Sequence, residues 1–333
     1  MLQLLRQFAA KADVDVEPVV KISRLKNKAK IQAILENLKV GVLFPFKIFV
    51  PKKSIYHGPD FKLNVFGFLP RIVTVHDMVV FEGKYNRPEF YLKGMRDLTK
   101  VLNSSRVSGV IVNSEFTKSE VLKYFPHLQD KIHVTYLGCN RKAEKDTQDL
   151  ALPEKYILFL GTLEKRKNVL GVVQAFEKLK AKGFEHRLVL AGAWGYEGEE
   201  IKTAIEKSPF KNDITHLSYV PDKNVQELYK RAAVFFFPSW YEGFGIPALE
   251  AMALGCPVVI SAGGALQEIC ADAALAVNPG DASAMANALE KILSDDVLRK
   301  SMIEKGLTRV QAFTWERCAE QTIEVYKKIL GNS

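Results

Sequence analysis

AVFFFPSWYEGFGIPALEAMALGCPVVISAGG, residues 233–264, opens as a buried strand that runs into Pro238. A glycine-bearing loop follows, Glu242-Gly243-Phe244-Gly245-Ile246. Pro247 then stands where a helix starts: its fixed φ suits the first helical position and its missing N–H is not needed there. The helix ALEAMALG stops at Gly255, a C-cap residue. The loop therefore presents backbone N–H groups at a helix N-terminus, an arrangement suited to an anion. Glu242 stands in the loop and Glu250 in the first turn of the helix, so both can face one ligand. Singly, Glu242 reads as a loop charge in water and Glu250 as a carboxylate favoured by the helix dipole. With two glycines and the proline beside them, a binding site is the better reading.

Almost throughout the chain, short apolar runs alternate with amphipathic segments. Short apolar runs at 71–75, 109–113, 132–136, 156–160, 187–191, 214–220, 233–237 and 257–260 predict strands. Helical periodicity lies between them, as in 168–182, where Val169, Val172, Val173 and Phe176 share one face. Continuous apolar strands alternating with helices predict α/β architecture, with parallel sheets covered on both sides. The polar stretch 138–153 has no apolar period and reads as a linker, which divides the chain into two open sheets. In such folds ligands bind outside the carboxyl ends of strands, so the expected site is a cleft between the domains. The chain starts in a helix, LQLLRQFAAKA, rather than in a strand, and residues 314–330 form one amphipathic helix.

The 333 residues are 47% hydrophobic and 26% charged, which excludes a wholly disordered or fibrous chain. The longest apolar runs fall well short of the ~20 residues that a bilayer span needs. Cys139, Cys256, Cys270 and Cys318 show no metal spacing and point to a reduced, cytoplasmic setting. The net charge of +9 is uneven: residues 1–62 carry twelve Lys or Arg against five Asp or Glu. The run KISRLKNKAK (21–30) is either a solvated helical face or a surface for something anionic. With FPFKIFVPKKSIY (44–56) beside it, residues 20–56 suit peripheral contact with an anionic membrane. No nucleic-acid module accompanies the charge, so no nucleic-acid partner is expected.

The segment 233–264 resembles the Glu-x7-Glu motif of retaining glycosyltransferases of family four, particularly bacterial mannosyltransferases of surface-polysaccharide synthesis. Other segments match in order: TVHDM (74–78), VNSEFTKSEV (112–121), YILFLGTLEKRKN (156–168), LVLAG (188–192), LSYVPDKNVQELYKRA (217–232) and FTWERCAEQTIEVY (313–326). The resemblance implies the GT-B fold, two Rossmann-like domains facing across a cleft. The expected divisions are an acceptor-side domain at 1–148, a nucleotide-sugar donor domain at 149–312 and a terminal helix, 313–333, that crosses back. The family's usual first strand and glycine-rich loop have no match here, so the N-terminal domain is expected to lack its first strand.

The resemblance also implies roles. Glu242 matches the glutamate that contacts donor-sugar hydroxyls, and Glu250 the one that accepts bonds from the ribose diol. Phe244, Gly245 and Ile246 match the loop whose amides hold sugar and phosphate. Arg166 and Lys167 match the basic pair on the diphosphate, although Thr162 follows Gly161 where many members have arginine. His76 matches a histidine over the donor sugar, and Gly161, Tyr219 and Val220 fall among the donor-binding positions. The implied activity is retaining, metal-independent transfer of a hexose from a nucleotide sugar, with GDP-mannose the expected donor. The acceptor would be a glycan or lipid-linked sugar in lipopolysaccharide synthesis at the inner face of the cytoplasmic membrane. No cofactor is expected. The one Asp-x-Asp, Asp13-Val14-Asp15, lacks a catalytic context. The alternative is a nucleotide-sugar-binding protein without turnover, acting as partner or scaffold.

Overall fold

The structure is a computed structural model that describes residues 2–9, 19–21, 41–43, 54–60, 69–83, 88–139, 151–218 and 220–331. Tyr219, Asp13–Asp15, residues 22–30 of the basic run, most of the 44–56 aromatic stretch and residues 140–150 of the expected linker lie outside the described residues. The chain divides into two compact units. One comprises residues 1–76, 92–138 and 313–333, the other 77–91 and 139–312.

The first unit holds a four-stranded parallel sheet, ordered β3 (Tyr56–Gly58), β4 (Arg71–Val75), β5 (Val107–Val112), β6 (Ile132–Val134). A separate parallel pair is formed by β1 (Val19–Lys21) and β2 (Gly41–Leu43). The first described element is the helix Leu2–Ala9, ahead of any described strand. Every residue of β4 is buried, which is why its sequence is an unbroken run rather than an alternating one. The terminal helix Trp315–Gly331 lies on this unit: Val325 and Ile329 pack on Ile72 and Ile111, and Ile323 packs with Leu4 and Phe8.

Gly138 makes the start of that helix possible. A Cβ there would stand 2.3 Å from the Trp315 backbone nitrogen and 2.6 Å from the Thr314 carbonyl carbon. Backbone cannot step aside as a side chain can, so Gly138→Ala is expected to lower stability by about 2 kcal/mol. Urea denaturation reads this directly. An unchanged midpoint would show that the two backbone segments are not in contact.

The second unit is a six-stranded sheet, parallel throughout, ordered β12 (Leu275–Val277), β11 (Val258–Ser261), β10 (Val234–Phe237), β7 (Tyr156–Leu160), β8 (Arg187–Ala191), β9 (Ile214–Leu217). Its centre is aromatic, with Phe235, Phe236, Phe237 and Phe159 inaccessible. The helix Val169–Ala181 buries Val169, Val172, Val173 and Phe176, the face its periodicity predicted. Strand β12 escaped that reading because it has three residues and Ala276 is exposed. Residues 77–91 are assigned to this second unit rather than to the first, since Met78 is buried there and its N–H donates to Tyr241 Oη at 3.1 Å. Among the described residues no helix is long and apolar enough to cross a membrane.

Candidate functional site

The loops at the carboxyl ends of β7 and β10 meet at one ion cluster. Strand β7 ends at Leu160, Gly161 follows it, and a turn of 3-10 helix, Lys165–Lys167, brings two basic side chains back across the sheet edge. Lys167 Nζ donates to Glu242 Oε1 at 2.5 Å. Arg166 Nη1 donates to Tyr241 O at 2.9 Å and lies 3.5 Å from Glu242 Oε2. Its Nη2 donates to Glu164 Oε1 at 2.8 Å. The backbones are joined too, since Trp240 N–H donates to Arg166 O at 2.9 Å. Lys167 Nζ sits 4.9 Å from the centre of the Phe237 ring, so its stem lies over the apolar end of β10.

This cluster is partly withdrawn from water: the side chains of Glu242 and Lys167 are 11% and 13% exposed. Burial alone would disfavour the charge on Arg166. The carboxylates of Glu242, Glu164 and Asp77 outweigh that effect and raise its proton affinity. Glu164 and Asp77 were not singled out by sequence. Glu164 stands two residues before Arg166 in EKRKN, and that local spacing was the available signal. Asp77 has no such signal, because its nearness to Arg166 comes from the fold.

The Glu242 loop ends in the helix Ile246–Ala253, whose N-cap is Gly245 at φ 111°. Side chains avoid that conformation, and a Cβ at Gly245 would also stand 2.4 Å from Leu266 Cδ2. Both facts explain the glycine. Pro247 takes the second helical position rather than the first, and Ala248 N–H turns back to Gly245 O at 3.0 Å, so this amide does not face a ligand. Phe244 is 4% exposed, so its ring is packed in the interior. Ile246 is half-buried. The helix ends with Gly255 N–H on Met252 O and Cys256 N–H on Ala251 O, the double bond of a Schellman cap, with Gly255 at φ 73°.

Glu250 falls in the second turn of this helix, not the first, because the helix begins at Ile246. The dipole reading of Glu250 therefore loses its basis: the macrodipole acts within the first turn. Glu250 is half-buried, and its charge raises the proton affinity of the fully buried Tyr229, after burial itself. Gly161 and Val220 border the same sheet edge after β7 and β9, each half-buried.

His76 lies in the other unit, directly after β4. It is exposed, its Nε2–H donates to Pro59 O at 3.0 Å, and its carbonyl accepts from Asn113 Nδ2 at 2.9 Å. Ser114, in the VNSEFTKSEV segment, is fully buried and caps the helix Glu115–Tyr124 by accepting from Thr117 N–H. That hydroxyl is structural.

The chemistry available in the second unit is definite. Two cations held beside a carboxylate at a sheet's carboxyl edge can stabilise charge developing on a dianionic leaving group. The carboxylate can orient sugar hydroxyls, being an acceptor only.

Comparison with known proteins identifies the family and the fold. Residues 140–309 match the family described as Glycosyl transferases group 1. O-antigen chain mannosyltransferase B of Escherichia coli is 34% identical over 292 residues, covering 83% of this chain and 74% of that protein. The structure of sucrose-phosphate synthase from Thermosynechococcus elongatus superposes with a TM-score of 0.70 at 25% identity, covering 84% of this chain and 74% of that one. A glycosyltransferase from Rickettsia africae gives a TM-score of 0.74 at 19% identity and covers 99% of this chain and 95% of its own. Both units have the parallel α/β sheets of the GT-B fold, and the chain belongs to the glycosyl transferases group 1 family: it is a glycosyltransferase.

Proposed function

We propose that this glycosyltransferase moves mannose from GDP-mannose to a glycan or lipid-linked acceptor during assembly of a cell-surface polysaccharide, with retention at the anomeric carbon. The observation that carries the reading is the convergence of Lys167, Arg166 and Glu242 ahead of the helix Ile246–Ala253. In this reading the diphosphate lies against Lys167 and Arg166, which take its charge in place of a metal ion. Glu242 holds the sugar and Glu250 the ribose diol. His76 is assigned to the donor sugar. The name of the Escherichia coli relative supports mannose and the polysaccharide acceptor. The basic and aromatic composition of residues 20–56 supports work at the inner face of the cytoplasmic membrane.

A thermal-shift panel of GDP, UDP, ADP and dTDP with their sugar conjugates tests the donor. A ligand that binds only the folded state adds about 2.7 kcal/mol at a hundredfold excess over Kd. A selective shift with GDP and GDP-mannose is expected; a shift with UDP alone would replace the donor assignment. Binding with neither transfer nor slow donor hydrolysis would leave the chain a donor-binding partner protein. Glu250→Ala is expected to weaken GDP binding about tenfold, roughly 1.4 kcal/mol, with kcat much less affected. Titration calorimetry of the variant against wild type measures it, and equal affinities would remove Glu250 from the ribose.

A further inference from the structure

We infer that Asn168 is a positioning residue of the transfer site: its buried amide clamps the Lys167 backbone to the end of β10 and so sets the Lys167 ammonium against Glu242. The inference rests on the reading of Lys167 and Glu242 given above.

Asn168 is the N-cap residue of the helix Val169–Ala181, and asparagine is among the favoured caps. Its side chain nonetheless makes no capping bond to that helix. Both hydrogens of Nδ2 go elsewhere, one to Pro238 O at 3.1 Å and one to Pro279 O at 2.8 Å. The first carbonyl directly follows β10 and the second lies just beyond β12, so one amide ties two loops of the same sheet edge to residue 168. The residue is 5% exposed and left-handed, at φ 58° and ψ 36°, a conformation asparagine accepts more readily than other side chains with a Cβ. Gly171 completes the pocket: a Cβ there would stand 2.5 Å from Asn168 Oδ1 and 2.8 Å from Nδ2.

Lys167 is one peptide bond away. Its stem starts at the Asn168–Pro238 clamp, its ammonium passes the ring of Phe237, and it ends 2.5 Å from Glu242 Oε1. The backbone end of this reach is held by the clamp together with Lys167 N–H on Glu164 O at 3.1 Å and Trp240 N–H on Arg166 O at 2.9 Å. A displacement of about 1 Å there would carry the ammonium out of bonding distance, and misplacements of that size cost catalysis about a hundredfold elsewhere.

Three variants of the full chain separate the amide from the backbone. Asn168→Gly keeps the left-handed conformation and removes both donors. Asn168→Asp keeps the size and sets an acceptor against two carbonyls. Gly171→Ala leaves Asn168 in place but fills its pocket, although alanine is the better helix former. With GDP-mannose as donor and circular dichroism to check folding, each is expected to lower kcat about tenfold or more. Donor KM should rise no more than in Lys167→Ala, which removes the whole ammonium, and kcat should fall by the larger factor. Because Asn168 acts through Lys167, adding Asn168→Gly to Lys167→Ala should cost nothing further. Wild-type kcat in Asn168→Gly and Gly171→Ala, or losses that multiply with Lys167→Ala, would overturn the inference. Wild-type kcat in Lys167→Ala itself would overturn the site reading and this inference together, an outcome distinct from the other two.

Discussion

Glu242→Ala is expected to lower kcat for glycosyl transfer by about 10²–10³-fold, roughly 2.7–4 kcal/mol, in a protein that still folds. The carboxylate sits where three constraints meet. Lys167 holds one oxygen at 2.5 Å, Arg166 approaches the other at 3.5 Å, and the Tyr241 carbonyl fixes the loop through Arg166. A group so restrained can orient a sugar without reorganising during the reaction. Truncation removes that orientation but leaves both cations in place: Arg166 keeps Glu164, and Lys167 keeps the face of Phe237.

The sign of the effect on nucleotide binding separates this role from a purely electrostatic one. In the free protein Glu242 partly neutralises the cations that a diphosphate would meet. Glu242→Ala should therefore hold GDP as tightly as wild type or more tightly, while transfer collapses. Lys167→Ala does the reverse to binding, because the remaining carboxylate then repels the diphosphate. Initial rates and GDP titrations on the two variants decide the matter. Parallel losses of rate and of GDP affinity in Glu242→Ala would mean that the carboxylate holds the nucleotide and not the sugar.

The elements of this site were legible because they are local. Strand, loop, Pro247, helix and Gly255 are consecutive, and each residue's backbone preference states its place. Apart from β3 and β12, the strands of both sheets were legible as apolar runs, the pattern that burial on two faces produces. What local pattern could not carry is contact across the chain. Glu250 was placed a turn too early because Pro247 occupies the second helical position and not the first. Asn168 was visible only as a letter after Arg-Lys, since the carbonyls it binds are 70 and 111 residues away. Residues 77–91 follow a strand of one unit and belong to the other, a fact of tertiary packing with no composition signal. His57 lies in Tyr-His-Gly, a stretch too short for any period, and its main partner is 269 residues distant.

That histidine sets the second large expectation: the protein loses stability on mild acidification because the half-buried His57 must stay neutral to keep both its partners. Its Nδ1 meets Tyr326 Oη at 2.6 Å and its Nε2 meets Thr74 Oγ1 at 2.8 Å, so one ring joins β3, β4 and the terminal helix. Burial, and then the nearby charge of His76, lowers its pKa from 6.5 to about 4. Between those values the unfolded chain takes up a proton at this position and the folded chain does not. The stabilisation is therefore complete above pH 6.5, falls with pH and levels off below about 4. The full span is worth about 3 kcal/mol, and roughly 2 kcal/mol of it is gone by pH 5. Carboxylates and other histidines titrate as well, so the comparison is with His57→Gln, which cannot protonate. Urea denaturation at pH 7 and pH 5 should show the variant less stable at pH 7 but with a drop about 2 kcal/mol smaller than wild type. Equal drops in the two proteins would mean that His57 charges in place, and that Tyr326 and Thr74 do not hold it neutral. The consequence reaches His76, since Thr74 lies in β4 and His76 follows that strand directly. Acid that opens the His57 contact loosens the strand end on which His76 depends.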